Sequence, residues 1–210
     1  MLKKVIPAAI VMCIAGGYTM STRKVAHGTC EGGVFKHPQL GITLQLPQDW
    51  CVMSDAELDS FVKQAAAQGG GVFAEAERRT ALLLVATRYS PKEVAYGPNC
   101  MIMCGAEKLP WFSGVSTGED YIAHARKFAD KSVEGGGGVK LDLAAKTYSQ
   151  TICDKEFDVL DSTLSRGEIS IYQKNYVTIH DGNAVFFVLT YFTDADESDL
   201  KEILAGLKIE

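Results

Sequence analysis

The run Ala184-Val185-Phe186-Phe187-Val188-Leu189-Thr190-Tyr191-Phe192 limits the fold more than any other part of the chain. Side chains on a strand alternate between faces, so a half-wet strand should alternate apolar and polar residues. Val185 to Leu189 does not alternate, so this strand needs cover on both sides and belongs at the centre of a sheet. Ala81-Leu82-Leu83-Leu84-Val85-Ala86 makes the same demand.

Three amphipathic segments can supply the cover. Ser54 and Glu57 form a capping box ahead of Leu58, Phe61, Val62 and Ala65, and Gly69-Gly70-Gly71 is the stop. A second helix is expected from about Glu119 to Val133, with Tyr121, Ile122, Ala125, Phe128 and Ala129 inward and the glycine run 135–138 beyond it. The acidic stretch Thr193 to Asp199 suits a helix N-terminus, and Leu200, Ile203 and Leu204 follow as a buried stripe. Strands are expected at Val34-Phe35, at Ile42 to Leu46 with Pro47 ending it, and at Cys100 to Cys104. Three or four more follow residue 138, divided by turn signals at Cys153-Asp154-Lys155, Arg166-Gly167 and Asp181-Gly182-Asn183. The expected fold class is α+β: a three-layer α-β-α sandwich with a largely antiparallel central sheet.

Met1-Leu2-Lys3-Lys4 is a basic start, Val5 to Gly17 is uncharged and mostly apolar, and Ala15 and Gly17 stand at the spacing that signal peptidase reads. Residues 1–20 are therefore expected to be a signal peptide or a short membrane anchor, 21–39 a linker, and 40–210 the domain. Pro7 and Gly16-Gly17 argue against a buried first helix, and Met12 ahead of Cys13 does not fit a lipid-modified cysteine. Export places Cys30, Cys51, Cys100, Cys104 and Cys153 in an oxidising compartment, which permits at most two bridges whose pairing spacing does not give. The expected location is periplasmic, or anchored at the outer face of the inner membrane. The net charge of -5 becomes more negative without Lys3 and Lys4, and no Lys/Arg-rich stripe offsets it, so nucleic acid is not an expected partner.

Several segments in order resemble the PsbP-like superfamily, which includes photosystem PsbP proteins, Ran-binding Mog proteins and bacterial DcrB-like exported proteins. They are Gly41-Ile42-Thr43-Leu44-Gln45-Leu46-Pro47-Gln48-Asp49-Trp50 with its Leu-Pro-x-x-Trp corner; Asn99 to Leu109 followed by Gly118-Glu119-Asp120-Tyr121; and the hairpin and helix from Gly182 to Leu207. Here Pro98 precedes Asn99, where the family usually has proline after it. The resemblance implies the fold. It transfers no activity, because its members do unrelated things and share no catalytic set.

Gly114-Val115-Ser116-Thr117-Gly118 matches the GxSxG nucleophile pattern, and Asp158 and His180 follow in triad order. That elbow needs a buried strand directly before it, whereas Pro110-Trp111-Phe112-Ser113 stands there. The competing reading is a helix cap, Ser116 with Glu119 or Thr117 with Asp120. Cys100-Met101-Ile102-Met103-Cys104 offers soft metal ligands, but on a strand the two cysteines would lie roughly 13 Å apart, with the methionines on the other face, so sulfur filling a core is expected. His27, His37, His124 and His180 show no metal-ligand spacing and are expected on the surface or in loops. Asp194 to Asp199 lacks the glycine and glutamate of a calcium loop. Trp111-Phe112 is expected to staple onto Val115 and Ile122, the alternative being a partner contact. The sequence thus points to a non-enzymatic exported domain with no cofactor, binding an unknown envelope protein or assisting an assembly, with membrane contact only through its N-terminal segment. A serine hydrolase using Ser116 and a thiol or soft-metal handler using Cys100 and Cys104 are the alternatives.

Overall fold

In the computed structural model, which describes residues 25–69, 80–90, 99–132 and 140–210, the apolar runs do lie in the middle of a sheet. Its elements are β1 (Thr29–Glu31), β2 (Val34–His37), β3 (Ile42–Gln45), β4 (Cys51–Val52), α1 (Asp55–Gly69), β5 (Thr80–Thr87) and β6 (Met101–Lys108). There follow α2 (Gly118–Ser132), β7 (Lys140–Leu143), β8 (Tyr148–Ile152), β9 (Lys155–Arg166), β10 (Ile169–His180), β11 (Asn183–Tyr191), α3 (Asp194–Ala205) and β12 (Lys208–Ile209). The leader, Gly70-Gly71 and the glycine run 135–138 lie outside the described residues, as do the side chains of Ala65, Phe128 and Ala129.

The large sheet has the order β4-β5-β6-β11-β10-β9-β7, with β8 beside β9, and every pairing is antiparallel. All nine residues of β11 are buried. Phe186 and Val188 pack with Leu58 of α1 and with Tyr121 and Ile122 of α2. Phe187 and Leu189 pack on the opposite side with Leu200 and Leu204 of α3. The three layers are therefore present, but the second outer layer is mixed. Phe35, Ile42 and Leu44 reach that face from a small sheet of order β1-β2-β3-β12. Geometry explains the mixture: seven strands abreast span roughly 30 Å, about three helix diameters, and α3 alone cannot cover them.

Residues 29–37, inside the stretch expected to be a linker, form β1 and β2 and pair Phe35 with Leu44. β6 also runs further than expected, through Gly105. That glycine is a contact position and does not break the strand, since a Cβ there would meet the Phe186 ring at 2.1 Å. Among the described residues five strands lie between α2 and α3 where three or four were expected, because the outer edge is split between β7 and β8. The turn signals fall where expected, with Cys153, Asp154, Gly167, Asp181 and Gly182 all at positive φ.

Candidate functional site

Among the described residues, Ser116, Asp158, His37, Lys174 and the buried thiols are engaged in holding the fold, and one aromatic turn is not. Ser116 lies on the approach to α2, and its hydroxyl donates to Asp120 Oδ2 at 3.0 Å. Asp120 Oδ2 also accepts from the backbone N–H groups of Ser116 and Thr117, both at 3.0 Å, while Thr117 Oγ1 accepts from Asp120 N at 3.1 Å. Thr117 with Asp120 is thus the capping box, and Ser116 reinforces it. Backbone and hydroxyl donors from Ser116 and Thr117 hold the Asp120 carboxyl down at about 2. Asp158, the carboxylate a triad would need, accepts from Glu119 N at 2.8 Å and from the Ser149 hydroxyl at 3.1 Å. His180 Nδ1 faces Lys155 Nζ at 3.3 Å.

Cys100 and Cys104 flank Ile102 on the α3 side of β6, and Met101 and Met103 face α1 and α2. Burial pushes the Cys100 thiol up to about 11 and the Cys104 thiol well above the ordinary range, so neither is a ready thiolate. All five cysteines of the described region are free, with Cys153 exposed and its thiol donating to Ala205 O at 3.1 Å. No group of three or more His, Cys, Asp and Glu side chains is placed to hold a metal among the described residues.

His37 departs from expectation. It is fully buried, accepts from Leu40 N at Nδ1 (3.2 Å) and reaches Ala26 O from Nε2 (2.7 Å). This pair of bonds specifies the neutral tautomer protonated at Nε2, acting as cap of the 3-10 turn Pro38–Leu40. The acidic stretch before α3 behaves as a helix start, with Thr193 and Asp196 forming its capping box.

Sequence reasoning missed Lys174 on β10. Its ammonium lies 3.0 Å from Asp161 Oδ1, 3.1 Å from the Tyr148 hydroxyl and 3.6 Å from Glu197 of α3, nearly out of solvent. Burial pulls its pKa down, but hydrogen bonds to Asp161 and Tyr148 outweigh that and hold the ammonium above the usual lysine range. A paired, charged lysine is a poor base or nucleophile, and this one pins α3 to the sheet. Its signal was the polar run Gln173-Lys174-Asn175 inside a strand rich in Ile, Tyr and Val.

The exception is the Trp111-Phe112 turn. Leu109 is buried and bonded through its N–H to Gly182 O at 3.0 Å, which fixes the end of β6. Ser113 N then donates to Pro110 O at 2.9 Å, so Trp111 and Phe112 are the two corner residues of a tight turn. Trp111 is 94% exposed and Phe112 53%, and their rings meet edge-to-face at 5.6 Å. The expected staple onto Val115 and Ile122 does not form. Val115 itself packs on the core at the helix entry, whereas neither ring belongs to that cluster.

No protein-family model matches the sequence, and no curated protein matches it. Among solved structures, the cyanobacterial PsbP (CyanoP) of Synechocystis sp. PCC 6803 superposes with a TM-score of 0.54 at 12% identity, covering 92% of this chain and 98% of that one. The chain has the PsbP-like fold. A Pseudomonas aeruginosa protein of unknown function, PA94, overlaps at TM-score 0.41 and 16% identity, covering 88% of this chain and 99% of its own. LpqN of Mycobacterium tuberculosis, described as involved in cell envelope biogenesis, overlaps at 0.40 and 14%, covering 80% and 82%. Within this PsbP-like domain the Leu-Pro-x-x-Trp corner is a closed turn, Trp50 N donating to Pro47 O at 3.2 Å with the indole packed against the core.

Proposed function

We propose that the chain is an exported, non-enzymatic domain of the cell envelope that binds another envelope protein, or assists an assembly, through the Trp111-Phe112 turn. The observation that carries this reading is the turn itself. Two aromatic rings stand in solvent at the tip of a segment, Leu109 to Gly118, that contains no charged residue. Aromatic residues of this kind supply most of the energy at protein interfaces, and nothing in the packing of the domain requires them outside it. The hydrolase alternative lacks support, since the Ser116 hydroxyl is committed to Asp120 and Asp158 to the helix N-terminus. The N-terminal pattern of basic residues and an apolar run supports export.

Two experiments test the reading. A reporter fused after residue 33 should be active outside the cytoplasm, and its retention inside would overturn the location. Cross-linked capture from envelope fractions should yield a partner with the parent chain and lose it with Trp111→Ala/Phe112→Ala. Equal recovery by the parent and the double variant would overturn the contact.

A further inference from the structure

A cleft of about 590 Å³ opens between the small sheet and the start of α1. Its size falls in the range of about 300–1,000 Å³ typical of small-ligand sites. Its accessible apolar surface comes from the half-buried Trp50, Val52 and Met53, over a buried floor of Phe35, Leu46 and Leu83. Among the described residues, Glu31 on β1 and Asp55 at the start of α1 are its only charged lining residues, and neither is ion-paired with a described residue. No lysine, arginine or histidine lines it among the described residues. The start of α1 gives an anion little to bind, because Ser54 N is already taken by Glu57 Oε2 at 2.9 Å, and Asp55 and Glu57 fill the first turn with negative charge. Arg88 lines the neighbouring cleft beyond Trp50, but its guanidinium is spent on Asp196 and Asp199.

We propose that this cleft binds a small amphiphile with an apolar body and one cationic head, the body against the half-buried Trp50, Val52 and Met53 and the head between Glu31 and Asp55. The chemistry follows from the lining. Apolar surface gains from covering any hydrocarbon, whereas two unopposed carboxylates at the rim attract a cation and repel an anion of the same length. The half-buried Trp50 indole adds an aromatic face to which a cation is attracted. This inference does not rest on the Trp111-Phe112 reading.

Trp50 is also the reporter. The chain has two tryptophans, so in full-length Trp111→Phe the emission comes from Trp50 alone. Titrated with n-octylammonium and with octanoate, both below micelle formation, this protein should show a saturable change with the amine. The acid should bind more weakly by about tenfold, the size expected for two exposed charge contacts. Glu31→Gln/Asp55→Asn should bring the two affinities together without unfolding, because both side chains are exposed. Each single variant should do part of this. No saturable response to the amine, equal affinity for both probes in the parent, or a preference that survives in the double variant would each overturn the site.

Discussion

The Tyr121 hydroxyl donates to Glu107 Oε2 across 2.6 Å, with both side chains 1% exposed. Glu107 belongs to the Ala-Glu-x-Leu segment closing β6, and Tyr121 to the Gly-x-Asp-Tyr start of α2. Two pieces of the resemblance that look independent in sequence are thus one contact between sheet and helix. Its geometry depends on close approach: a Cβ on Gly118 would lie 2.4 Å from Val177 O, so glycine lets the first turn of α2 sit on β10.

Tyr121→Phe removes the donor and leaves a buried carboxyl short of its bond. The variant should lose about 1–3 kcal/mol by urea unfolding. With Glu107→Gln added, the combined loss should be smaller than the sum of the singles, because the pair is one interaction. Additive losses would show that the contact carries no coupling.

The cap on α2 predicts an acid response. The folded pKa of Asp120 is depressed to about 2, so its contribution is complete above the unfolded aspartate value and fades as pH falls from about 4 through about 2. Asp120→Asn should flatten the stability-against-pH curve in that window and leave its shape near neutrality unchanged. Thr117→Ala, which removes the cap hydroxyl, should cost about 0.5–2 kcal/mol, with Ser116→Ala costing less. A serine-directed probe should leave Ser116 unlabelled.

Val188 and Leu189 are both completely buried but face opposite sides of the sheet, Val188 toward α1 and α2 and Leu189 toward α3 and the small sheet. Val188→Asp and Leu189→Asp should each lower stability by about 3–5 kcal/mol or more, the cost of an unpaired buried carboxylate. If either urea midpoint matches the parent, one of the two outer layers is absent.

The thiols should react in order of access. With a disulfide reagent at pH 8 and mapping by mass spectrometry, Cys153 should label first, and Cys30 and Cys51, both half-buried, more slowly. Cys104 should label only at the rate of unfolding, and Cys100, held up at about 11, nearly as slowly. Fast labelling of Cys104 in the native protein would reopen a thiol or soft-metal role.

The central sheet was legible because burial on both faces leaves an unbroken apolar run, as at Val185 to Leu189. The capping residues of α1 and α2 were legible because Ser54 with Glu57 and Thr117 with Asp120 act over three residues. What depends on distant contacts was not. β1 has the sequence Thr-Cys-Glu, with no apolar alternation, and becomes a strand only because β2 lies beside it. His37 reads as a loop histidine until Ala26 O and the 3-10 turn are brought to its two ring nitrogens. The outward stance of Trp111 depends on a backbone bond from Ser113 to Pro110, and side-chain spacing carries no trace of it.

The strand order also sets a timetable. β6 finds its central neighbour in β11, pairing Met101 with Thr190, and β3 closes on β12, pairing Ile42 with Ile209. A ribosome adding about 5–20 residues each second must therefore make nearly the whole domain before its middle exists. Until residues 183–209 emerge, β6 has no partner on one flank and the small sheet has no last strand. Contacts this far apart in sequence form slowly, since the intervening chain must first be closed into a loop. Until then the exposed edge of β6 is an apolar strand open to pairing with another copy of itself.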